Sequence, residues 1–147
     1  AVQNELMAIP SFGDEDETLF AAEFKAINQA KKAILMTAGA AAKHFGMKFD
    51  REQEIIMSIS DMLIEVFVAE SALLRVAKMV ETKGEEASKL YIDMTRTYLS
   101  DALERINVDG KHAICAFADG DMMKMMLMGL KRFTKFMDML IHEEKPK

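Results

Sequence analysis

The 147-residue sequence predicts an all-α fold: an up-and-down antiparallel four-helix bundle with a short N-terminal helical segment. Three observations point there. Apolar residues recur at three- and four-residue steps over long stretches, which is the period of one helical face. Ala, Met, Leu, Lys and Glu, all good helix formers, dominate the composition, and there are only two prolines. The periodic stretches are separated by short turns carrying Gly46, Gly84 and Gly120, so successive helices run antiparallel. No repeat, linker or low-complexity tract divides the chain, and residues 1–147 read as a single helical domain.

Residues 1–9 predict one or two helical turns, ended by Pro10. Asp14, with Glu17 three residues on, fits an N-cap and its reciprocal partner. Phe20, Phe24, Ile27, Ile34, Ala38, Ala41 and Phe45 then share one face, and this first long helix stops near Gly46. Asp50 with Gln53 predicts a second capping box. The next helix, over about 51–82, centres its apolar face on Ile56, Ile59, Leu63, Phe67, Leu74 and Ala77, flanked by Ile55, Met62, Val66 and Leu73. Only Glu54, Asp61, Glu65 and Ala72 form the opposite strip, so this helix is expected to touch more than one neighbour. Gly84 ends it, as a left-handed cap.

A third helix begins at about Glu85. Leu90, Tyr91, Met94 and Tyr98 share one face, and Leu99, Leu103, Ile106, Ile114 and Phe117 line another. Either the helix meets different neighbours along its length, which is the reading preferred, or "NVDG" at 107–110 interrupts it. "ADGD" at 118–121 is a better break, with Asp119 or Asp121 available to cap the last helix. In that helix Met122, Met126, Leu130, Phe133, Met137 and Leu140 fall on one line, opposite Lys124, Lys131 and Lys135. Met125, Met128 and Met139 spill beyond the line, and "HEEKPK" forms a solvated tail.

Several functions have no footprint. A net charge of −5 argues against a nucleic-acid partner. Cys115 is the only cysteine, so no internal disulfide forms and a reducing cytoplasm is the default. No apolar run is long enough to span a bilayer, and no signal peptide stands at the start. The chain opens without methionine, which fits either removal of a start residue or a fragment of a longer protein. The paired Glu-x-x-His motifs of di-iron bundles are absent; Asp109-x-x-His112 occurs once. His44, His112 and His142 lie near the ends of different elements and read as surface residues. The methionines could serve a soft copper(I) site, but such residues more often fill apolar gaps or bind partner surfaces. Cys115, between Ile114 and Ala116–Phe117, reads as buried and inert. No glycine loop suited to phosphates is present. No residue is therefore assigned as catalytic, cofactor-binding or metal-binding.

Two charges fall on apolar faces, Lys31 on the first helix and Glu70 on the second. A hairpin turning at about 47–50 brings them within one turn of each other, which predicts an ion pair. The alternative is that one reaches solvent past its neighbours.

The block Glu52 to Val80, "EQEIIMSISDMLIEVFVAESALLRVAKMV", resembles the C-terminal helical region of very-long-chain-type acyl-CoA dehydrogenases. "ALLRVAK", with Arg75, matches the aliphatic-then-arginine pattern of that region. "YIDMTRTYLSDALERI" fits its layout, and "AVQNELMAIP" fits the connector leading into it. The resemblance implies a flavoprotein parent that uses FAD to oxidise acyl-CoA thioesters at the α,β carbons. It places flavin, substrate pocket and catalytic glutamate in a preceding dehydrogenase body, with no cofactor held by these residues. It also implies that the bundle packs on that body, where other members place further subunits. Its expected partners are the body of the same chain or a second subunit. A second hypothesis is weak membrane-surface contact by the last helix, whose four basic residues between Lys124 and Lys135 are interrupted by no acid. A free-standing helical adaptor is the third.

Overall fold

The structure is a computed structural model that describes residues 19–135. Four helices pack against one another, with no strand among the described residues: α1 (Ala21–Phe45), α2 (Gln53–Lys83), α3 (Glu85–Phe117) and α4 (Gly120–Thr134). Side-chain pairs fix their directions. Lys31 meets Glu70 across α1 and α2, Glu65 meets Arg105 across α2 and α3, and Asn107 meets Thr134 across α3 and α4. In each pair the residue numbers converge on the intervening turn, so neighbours in sequence run antiparallel. Glu23 with Arg96 and Phe45 with Phe117 keep nearly the same offset, so α1 and α3 run parallel. The alternation is the predicted up-and-down one. The N-terminal helical segment, the Asp14–Glu17 cap, Met137, Met139, Leu140 and His142 lie outside the described residues.

Each turn solves its geometry differently. Gly46 ends α1 at φ 55°, a backbone conformation costly for residues with a Cβ. A 3₁₀ turn over Gly46–Arg51 then carries the chain to α2. This turn overturns the Asp50–Gln53 capping box. Asp50 is spent inside it, Glu52 takes the N-cap position, and no side chain caps α2. Gly84 alone joins α2 to α3. Its φ is positive at 84°, but its ψ of 162° is extended, so it is an elbow and not the left-handed cap expected. Before α4, Asp119 sits at the N-cap position without a side-chain cap bond, and Asp121 instead accepts from Lys124 at 3.3 Å.

The third helix is unbroken. "NVDG" lies within it, because α3 meets α2 over its greatest extent and α1 and α4 elsewhere. At Gly110 the side chains of two neighbouring helices press close on α3. A Cβ there would fall 2.7 Å from Leu130 Cδ1 and 3.2 Å from Met62 Cε.

The largest departure is the rotation of α2. Ile55, Ile59, Met62, Val66, Ala69, Leu73 and Val76 are buried, whereas Leu63, Phe67 and Leu74, placed at the centre by the sequence, are 53%, 71% and 54% exposed. The buried stripe lies roughly one residue's turn, about 100°, from the expected one. The helix does touch two neighbours, α1 and α3, but its apolar sector is wider than both can cover. On α4 the expected line is buried from Met126 onward, while Met122 at its start is 39% exposed. Met126, Leu130 and Phe133 are buried, Met122 lies at the edge, and Met125 and Met128 face solvent.

Candidate functional site

The fold brings polar groups together at a few places. On the outer edge between α2 and α3, Arg105 grips Glu65 with both ends of its fork. Nε donates to Oε1 at 2.6 Å and Nη2 to Oε2 at 2.9 Å. The Tyr98 hydroxyl also donates to Oε2 at 3.0 Å, and the Arg105 guanidinium lies 5.3 Å from the centre of the Tyr98 ring. The guanidinium bonds hold the Glu65 carboxyl below the usual carboxylate range. Burial, then the Glu65 charge, pushes the Tyr98 phenol up. One turn from Arg105, partial burial and the charge of Asp61 raise the Asp109 carboxyl, with His112 acting against them. This cluster holds two helices in register. Among the described residues no group of three His, Cys, Asp or Glu could hold a metal ion.

The predicted Lys31–Glu70 pair forms, with Nζ 2.6 Å from Oε1. A second ion pair was missed. Glu23 is 1% exposed and accepts from Arg96 Nε at 2.7 Å, while its Oε2 is buried without a hydrogen-bond partner. Its signal was in the sequence, since Glu23 stands three residues after Phe20 and four before Ile27, on the apolar face of α1.

Cys115 is exposed, which corrects the buried reading. Its sequence neighbours do not surround it, because successive side chains on a helix point about 100° apart. His44 and His112 are exposed as expected, and His44 meets Phe45 edge-on and Phe117 at a tilt, at ring distances of 4.7 and 5.6 Å. Two open, shallow grooves flank α3. One lies against α4, between Leu103, Asn107, Val108 and Thr134; the other is lined by Asp101, Glu104, Arg105 and Asp109. The first groove also takes in Glu104, Lys131 and Lys135, so its charge is mixed, while acids outnumber the one base in the second.

What remains is the apolar surface. Met57, Leu63, Ile64, Phe67, Val68 and Leu74 of α2 are exposed, as are Leu90, Tyr91 and Met94 of α3. Scattered apolar residues are ordinary on a surface, but a contiguous run along one helix marks a contact site.

Comparison with known proteins gives this surface a context. Residues 29–132 match the family model described as acyl-CoA dehydrogenase, C-terminal domain. A Bacillus subtilis (strain 168) protein, "Probable acyl-CoA dehydrogenase", is 35% identical over 109 residues, covering 74% of this chain and 18% of that protein. The crystal structure of an acyl-CoA dehydrogenase complexed with FAD, from Bacillus anthracis, superposes with a TM-score of 0.81 at 37% identity. The match covers 90% of this chain and 22% of that one. The chain thus spans about a fifth of the length of these relatives.

Proposed function

Since the chain belongs to the acyl-CoA dehydrogenase C-terminal domain family, we propose that it is an accessory, non-catalytic helical domain of an FAD-dependent dehydrogenase that oxidises acyl-CoA. Flavin and thioester chemistry then reside in the remainder of the polypeptide. This bundle supplies shape and apolar area for packing against that body or a second subunit. The observation that carries the reading is the share matched. Relatives extend over roughly four-fifths of their length beyond it, and one of them holds FAD. The polar clusters described here serve helix register, not a reacting centre. The very-long-chain type is our choice of subtype, supported by the resemblance of residues 52–80. An exposed, unbridged Cys115 suits a reducing, cytoplasmic setting.

Two measurements test this. Equilibrium dialysis of the chain against FAD and against an acyl-CoA should retain neither. In a full-length relative, removing the bundle should leave flavin stoichiometry intact while lowering thermal stability or changing assembly. Retention of flavin by the isolated chain, held by its own side chains, overturns the proposal.

A further inference from the structure

Of the chain's 14 methionines, only those between Met122 and Met128 have another methionine three or four residues away. The fold divides this group. Met126 turns into the core at 4% exposed, whereas Met122, Met125 and Met128 stand out at 39%, 50% and 73%. Neither the packing of the bundle nor the dehydrogenase reading uses these three.

They follow one another on α4 at steps of three residues. Side chains three apart on a helix are neighbours, with Cβ atoms about 5–6 Å apart. Each step also turns the stripe by about 60°, so Met125 lies between the other two. Methionine is unbranched with three rotatable bonds, and an exposed one is not held by packing. The three sulfurs can therefore close on one point outside the helix. A protein-docking face is built differently. Asp121, Lys124, Arg132 and Lys135 share the exposed side of α4, and charges are depleted at the centre of protein interfaces. What the three methionine positions have in common is the thioether.

We propose that Met122, Met125 and Met128 form a surface site for a soft monovalent cation, copper(I) or its analogue silver(I). Thioether sulfur is a polarisable donor that suits such an ion, whereas magnesium and calcium take oxygen ligands. The donors are neutral, so the site keeps the positive charge of the ion. Asp121, four residues before Met125, favours that charge but also accepts from Lys124 at 3.3 Å. Lys124, Arg132 and Lys135 oppose it, so the ion is held loosely and exchanges. The site lies on α4 alone, and the dehydrogenase reading can fail without it.

The Cys115→Ser chain is the sample, because an exposed thiol competes for the same ions. Titrated with silver nitrate in chloride-free buffer, at ~100 µM chain, it should take up one ion per chain by calorimetry. With the methionine methyl groups labelled, the signals of Met122, Met125 and Met128 should shift together. Those of Met62 and Met126 in the core and of Met57 on α2 should stay in place. Thioethers bind no proton, so affinity should hold from about pH 7 to about pH 5.5, where a histidine or cysteine site weakens. Met125→Leu nearly conserves volume. It should weaken binding on the order of 10-fold or more, with helix content by circular dichroism unchanged. Met57→Leu should leave binding as it was. Were Met125→Leu to lose its helix content, Met128→Leu decides in its place. Failure to take up silver, shifts spread evenly over all exposed methionines, or an affinity that survives these two α4 variants overturns the proposal.

Discussion

At the scale of the residue, Glu65 of α2 and Asp109 of α3 are two carboxylates along the edge between these helices with opposite electrostatic fates. Arg105 stabilises the charged form of Glu65. Its contribution to stability is therefore complete above the ordinary carboxylate range and is lost as pH falls through the depressed folded-state value. Asp109 is the reverse. Burial and Asp61 penalise its charge, so it costs stability at neutral pH and the cost vanishes as acid protonates it. Asp109→Asn should accordingly raise the melting temperature at pH 7, by about 1–2 °C, and leave it unchanged near pH 3. Glu65→Gln should lower stability at pH 7 by about 1 kcal/mol, the upper range for a partly solvated pair, and flatten the acid limb. Chemical denaturation followed across pH distinguishes the two. A fall in melting temperature for Asp109→Asn at pH 7 contradicts the assignment.

At the scale of the element, Gly39 and Gly110 lie inside helices but in opposite surroundings. Nothing lies within 4 Å of a Cβ built on Gly39, whereas one on Gly110 would strike Leu130 at 2.7 Å. Replacing either with alanine gains roughly 1 kcal/mol of helix propensity. At Gly110 that gain is offset by overpacking, about 1–3 kcal/mol. Gly39→Ala should therefore stabilise and Gly110→Ala destabilise, read from urea midpoints. The same contrast shows what was legible beforehand. Helix extents and the Lys31–Glu70 pair follow from period and hairpin register, both local or nearly so. The rotation of α2 does not. Its apolar sector spans Ile55 and Val66 as well as Leu63 and Phe67, and periodicity cannot say which part a neighbour covers. Capping failed at Asp50 because the turn before a helix, not the residue's preference, decides who stands at its first position. Cys115 was misjudged from its sequence neighbours, although a helical wheel sets it opposite the line of Leu99 and Ile106.

At the scale of the whole molecule, the distribution of methionine decides what the last helix can do. Five of the seven residues from Met122 to Met128 are methionine, and four basic residues accompany them up to Lys135. As a sequence this fits a helix lying on an anionic membrane. In the bundle its apolar face is already engaged, since Met126, Leu130 and Phe133 are buried against protein. Among the described residues no helix is long and apolar enough to cross a membrane. Among the described residues of α4, Met122, Met125 and Met128 would remain to enter lipid as exposed large side chains, with Asp121 and Arg132 also exposed on the helix. Inserting the buried face instead would require α4 to pull Leu130 away from Gly110 and leave the core. Attraction of a few lysines to anionic headgroups, about 1 kcal/mol each, also competes with a chain of net charge −5. The chain should therefore stay in the supernatant with neutral vesicles, and bind anionic ones at most weakly at low salt. Co-sedimentation with anionic vesicles that persists at physiological salt would show that α4 can leave the bundle, and a rise in hydrogen exchange at Met126 and Leu130 should accompany it.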